Sequence, residues 1–99
     1  MYLFNYYLFK MEKFIVFGNY CEDAISKREP FRKQHLNRLE NLKDRNILVT
    51  LGPTKCTKYL FAIFNANNEI ELRDLIEKDI YWQEGIWIHF DIYPWIQAF

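Results

Sequence analysis

The chain has 99 residues, 51% of them hydrophobic and 19% aromatic, enough for one folded core and too short for two domains. Thirteen Lys and Arg balance thirteen Asp and Glu, so no global charge draws it to nucleic acid or to an anionic membrane. Its two cysteines, Cys21 and Cys56, form neither a disulfide framework nor a zinc spacing, and reduced thiols in a cytoplasmic protein are the expectation.

Residues 1–10, MYLFNYYLFK, are apolar but too short to span a bilayer, and they lack the basic start and small-residue cleavage site of a secretion signal. Met11 opens an ordinary beginning for a domain. Residues 1–10 are therefore read as an N-terminal extension, an upstream artefact or a loose arm, and residues 11–99 as the domain.

Phe14-Ile15-Val16-Phe17, closed by Gly18-Asn19, predicts a strand buried on both faces. A polar loop leads to Pro30, which suits a first helical turn because its missing N–H costs nothing there. At about 100° per residue, Phe31, His35, Leu39 and Leu42 share one stripe with Leu36 at its flank, which predicts an amphipathic helix. Asn46 is a candidate left-handed cap. Residues 47–51 form a short strand stopped by Gly52-Pro53, residues 54–58 turn, and residues 59–64 form an apolar strand. Asn68 is a candidate cap for a second helix over residues 69–78, with Ile70, Leu72, Leu75 and Ile76 as its buried side. A loop with Trp82 and Gly85 precedes the last strand, residues 86–93, whose alternation places Ile86, Ile88, Phe90 and Ile92 on one face.

The order βαββαβ predicts an α+β, ferredoxin-like fold with a four-stranded antiparallel sheet and both helices on one face. The other face stays apolar, and a homodimer packed sheet to sheet is the expected cover.

Ile25-Ser26-Lys27-Arg28, then Arg32-Lys33-Gln34-His35-Leu36, then Ile47-Leu48-Val49-Thr50-Leu51-Gly52-Pro53 resemble the YciI-like (YCII-related) family in order and spacing. Asp79-Ile80-Tyr81-Trp82 with Gly85 is similar to that family's Asp-Pro-Tyr/Phe turn, with Ile80 in place of the proline. Tyr93-Pro94-Trp95 and Phe99 resemble its tail, and GPTKCTKYLF and YPWIQAF are nearest to cyanobacterial members. The resemblance implies a dimeric α/β barrel with a pocket holding the first-helix histidine. It also implies small-molecule enzymes, one relative being a dehydrochlorinase of a chlorinated hydroxyquinol, in which that histidine pairs with an aspartate just after strand one. Here Asn19-Tyr20 stands at that place.

His35 has two readings: a general acid or base tuned by burial, or a core histidine donating to a carbonyl. Arg28 and Arg32 could hold an anionic group of a substrate beside it, or pair with surface acids. Tyr20 is a candidate hydrogen-bond donor to the same molecule. Asp44 lies on the opposite helix face from His35, nine residues at about 100° apart. His89 and Asp91 share a strand face and read as a polar patch of the dimer interface rather than a metal shell. With no phosphate loop and no metal spacing, the expected ligand is a small anionic or aromatic metabolite handled without cofactor.

Two other classes compete with lyase- or isomerase-like chemistry. One is a non-catalytic dimeric module that binds a metabolite or a protein. The other is an RNA-binding domain, which shares the element order. Against it, Lys58-Tyr59-Leu60-Phe61-Ala62-Ile63-Phe64 has no glycine and a different aromatic phase from the RNA-binding third strand.

Overall fold

Alternating burial begins at once in β1 (Glu12–Tyr20), where Phe14, Val16, Gly18 and Tyr20 turn to the core and Phe17 turns away. The computed structural model describes residues 11–99, and the expected extension lies outside them. After β1 come α1 (Ala24–Lys27), a 3-10 turn (Glu29–Phe31), α2 (Arg32–Asp44), β2 (Leu48–Pro53), β3 (Tyr59–Ala66), α3 (Glu69–Glu77), α4 (Ile80–Gln83) and β4 (Trp87–Trp95). The strands pair antiparallel in the order β2-β3-β1-β4, and the helices cover one face, an α+β ferredoxin-like arrangement. The short helices α1 and α4 occupy stretches expected as loops.

The helix ends follow the sequence closely. Asn46 takes a left-handed φ of 60°, and Ile47 N–H and Asn46 N–H bond back to the carbonyls of Leu42 (2.9 Å) and Lys43 (3.0 Å), closing α2 with a Schellman motif. The Asn68 side chain accepts from the Glu71 N–H at 2.8 Å and caps α3. Within α2, His35 and Leu42 are buried and Leu39 half-buried, as is Phe31 at the end of the preceding 3-10 turn, as the stripe predicts. In α3, Leu72 and Ile76 are buried, but Ile70 is 81% exposed. Ile70 lies two residues from Leu72, about 200° around the helix, so it cannot share the buried side.

The last strand departs from simple alternation. Gly18 pairs with Phe90 and Asn19 with His89, but Tyr20 pairs with Trp87, so Ile88 is the extra residue of a bulge. The bulge shifts the phase. Trp87 joins Phe90 and Ile92 on the covered face, while Ile88, expected inside, is exposed. Gly18 sits beside this irregularity, and a Cβ there would come within 2.7 Å of the His89 carbonyl oxygen. Only glycine lets the two strands approach so closely.

The uncovered face carries Phe17, Tyr59, Phe61 and Tyr93, all exposed, with Phe17 5.4 Å from Phe61 and 6.3 Å from Tyr93 between ring centres. The aromatic phase of β3 therefore does not separate this sheet from an RNA-binding one. The sequence-level contrast rests on the missing glycines and the zero net charge.

Candidate functional site

The site begins with a helix of a single turn. Asp79, extended at φ −72° and ψ 139°, caps α4 by accepting the Tyr81 N–H at 2.9 Å. At the other end Gly85 takes a φ of 69°, with Gly85 N–H on the Trp82 carbonyl (3.1 Å) and Ile86 N–H on the Tyr81 carbonyl (2.8 Å). A capping aspartate and a left-handed glycine thus lock α4 between α3 and β4. They fix Asp79 and Tyr81, both buried, against α2.

His35 is the residue they meet. Its Nδ1 lies 2.7 Å from Asp79 Oδ1, the two being 44 residues apart in sequence and 3% and 1% exposed. Since an ionised carboxylate only accepts, the proton on this contact is on Nδ1. The imidazole stacks on the Tyr81 ring at 3.5 Å and 11°, and the Trp87 ring meets it edge-on at 5.0 Å. Its other nitrogen, Nε2, makes no hydrogen bond to the described residues. The second oxygen of Asp79 accepts from Arg38 Nη1 at 3.0 Å, and Arg38 Nη2 donates to the Leu75 carbonyl at 2.8 Å. A buried carboxylate with three donors has its charge compensated and its lone pairs used.

Tyr20, at the end of β1, points into the same core. Burial pushes its phenol above the ordinary value of 10.0, opposed by the nearby Trp87 indole N–H and the Arg28 charge. The indole N–H lies close to that hydroxyl but falls short of hydrogen-bond geometry, and it has no other partner among the described residues. Burial likewise raises the Tyr81 phenol, with Arg28 and then Arg32 acting against it. Arg28 is half-buried with its Nε enclosed and unpartnered; Arg32 is exposed at the start of α2. The four residues singled out from sequence, His35, Tyr20, Arg28 and Arg32, therefore gather about one spot.

Two residues that complete the site escape the sequence reading. Asn19-Tyr20 are the last two residues of β1, and the aspartate that meets His35 comes instead from the turn before β4. Its signal was present as the capping pattern Asp79…Gly85. Arg38 lies one helical turn beyond His35, a spacing that puts both on one face. Asp44 is exposed and away from His35, as the helical count requires. His89 and Asp91 bond to each other at 3.0 Å on the open face.

A pocket between the sheet and α2 was expected, and the cavities lie elsewhere. A cleft of about 580 Å³ opens between the end of β1, the 54–58 turn and the start of β4. Tyr20, Cys21, Cys56, Lys58 and His89 are on its wall, whereas His35 lines none of the described cavities. The Cys56 thiol there is drawn below its ordinary value by its hydrogen bond with Thr54 Oγ1 (3.3 Å) and by the Lys58 backbone. Among the described residues no three His, Cys, Asp or Glu side chains converge on a metal position, and no helix is long and apolar enough to cross a membrane.

Comparison with known proteins bears on the family and the fold. The YCII-related domain matches residues 12–96. No curated protein matches the chain. Among solved structures it is similar to 5-chloro-2-hydroxyhydroquinone dehydrochlorinase (TftG) from Burkholderia phenoliruptrix AC1100, in complex with 2,5-dihydroxybenzoquinone. The TM-score is 0.75 at 21% identity, over 87% of this chain and 95% of that one. At that identity the likeness establishes the fold.

Proposed function

We propose that this chain, which belongs to the YCII-related family, performs acid–base chemistry on a small aromatic or anionic molecule, with His35 as the base. The observation that carries the reading is the buried imidazole held at Nδ1 by Asp79 (2.7 Å) while Nε2 stays unbonded. With its proton on Nδ1, the ring offers its lone pair at Nε2. There it takes a proton from an activated C–H or O–H, and Asp79 stabilises the imidazolium that forms. Returning that proton to a second carbon gives an isomerase; delivering it to a departing group gives a lyase. Charge that develops on a substrate oxygen needs donors, and Arg28 Nε and Trp87 Nε1 are both buried without a partner among the described residues. Tyr20 and Arg32 complete that donor set. Substrate enters from the 580 Å³ cleft, on whose wall Tyr20 stands beside the Trp87 indole.

One observation favours a second reading, the non-catalytic metabolite-binding module: His35 is 3% exposed and lines none of the described cavities. A single experiment separates the two. Wild type and His35→Gln are incubated with hydroxylated benzoquinones, phenols and short keto acids, and products are read by mass spectrometry. The enzyme reading expects turnover that falls about 10²- to 10⁴-fold in the variant. Equal turnover by both proteins overturns it, and binding without turnover by wild type establishes the module.

The homodimer belongs to the same proposal. Phe17, Phe61, Tyr59 and Tyr93 form a patch that a second sheet would cover, with His89 and Asp91 at its polar end. The free thiols Cys21 and Cys56 support a cytoplasmic setting.

A further inference from the structure

We propose that Arg38 is a positioning residue that keeps His35 uncharged, with a bare Nε2, at neutral pH. The inference rests on the acid–base reading of His35 and concerns what makes the residue usable as a base. An imidazole bonded to a lone buried carboxylate is held as the imidazolium, because the ion pair is the favoured state in a low dielectric. A base that is already protonated accepts nothing. Here Asp79 does not act alone. Arg38 Nη1 meets its second oxygen at 3.0 Å, so the carboxylate charge that would capture the His35 proton is already matched. The guanidinium is itself fixed by Nη2 on the Leu75 carbonyl at 2.8 Å. That carbonyl is left free at the end of α3 because the Asp79 N–H turns to Ile76 instead, at 3.0 Å. One side chain thus ties α2 to the end of α3 and sets the charge beside His35.

The other groups around His35 are Tyr81, stacked on it from α4, and Trp87, edge-on from β4. Arg32 lies one turn earlier on its own helix, and Arg28 stands near the phenols of both Tyr20 and Tyr81. None of them touches Asp79 Oδ2. Arg38 alone among the described residues supplies that charge.

The test needs no substrate. Ring ¹⁵N resonances of His35, assigned against His89→Gln, are followed with pH in wild type, Arg38→Met and Arg38→Lys. The Met variant keeps the length of a half-buried side chain and loses the charge. Its His35 is expected to titrate about one pH unit or more above wild type, leaving imidazolium at neutral pH. The Lys variant keeps the charge, and its His35 is expected to titrate with wild type. An unchanged or lower midpoint in the Met variant overturns the proposal. Should that variant not fold, a Lys variant whose His35 titrates higher than wild type overturns it equally. Failure here leaves the turnover experiment on His35→Gln untouched, and the converse holds too.

Discussion

The molecule contains two His–Asp pairs of the same chemistry in opposite settings. His35 and Asp79 meet at 2.7 Å across 44 residues, nearly sealed from water. His89 and Asp91 meet at 3.0 Å across two residues, both more than half exposed. The exposed pair is a product of strand geometry, since alternate residues share a face, and solvent screens it. The buried pair had to be assembled from α2 and a capped turn, with Arg38, the Tyr81 backbone N–H and an aromatic stack supporting it. Proximity of a histidine and an aspartate means little by itself. The surrounding donors and the loss of water are what make the first pair chemically distinct.

The difference between the pairs can be broken at its strongest point. Asp79→Ala strands Arg38 and leaves both the His35 ring and the Tyr81 N–H without their acceptor. It should cost about 3–5 kcal/mol, read as a lowered denaturation midpoint. Gly18→Ala is next: its methyl would press on the His89 backbone carbonyl, which has little room to yield. A loss of about 1–3 kcal/mol is expected, together with a disturbed bulge that holds Trp87 inside. Alkaline pH offers a gentler probe of the buried side. Burial raises the Tyr20 and Tyr81 phenols above 10.0 in the folded chain. Stability from keeping them neutral is complete below pH 10 and is lost as pH rises through the folded values. Thermal midpoints should therefore drop above pH 10, and the drop should shrink in Tyr20→Phe. On the exposed side, Asp91→Asn should change stability by no more than about 0.5 kcal/mol. A larger loss in the single chain would erase the contrast. Phe17→Glu probes the same face for the proposed self-association: sedimentation is expected to give a dimer for wild type and a monomer for the variant, and a monomeric wild type would remove the sheet-to-sheet pairing.

The two sides were unequally legible in the sequence. Helix α2, its cap at Asn46 and the strand order follow from periodicity and local turn chemistry, which depend on neighbours in the chain. His35 could be placed on the core side for the same reason. Its partner could not, because no periodicity connects residue 35 with residue 79. Asp79 was visible only as part of a turn, with its second role hidden in the packing of α4 on α2. Ile88 was misplaced to the covered face because a one-residue bulge reverses the alternation, and a bulge leaves no mark in the pattern of apolar residues. Ile70 was legible as outward-facing, since the helical count sets it about 200° from Leu72; grouping it with the buried side counted its apolar character and overlooked its angle.

The most direct test of the account is the ring ¹⁵N spectrum of the two histidines in wild type, recorded in one sample above neutral pH. His35 is expected to be locked as a single tautomer, protonated at Nδ1 and bare at Nε2, while His89, whose contact with Asp91 is open to solvent, is expected to give a signal averaged over its tautomers. A His35 protonated at Nε2, or one that averages as His89 does, would contradict the claim that the buried pair presents a base.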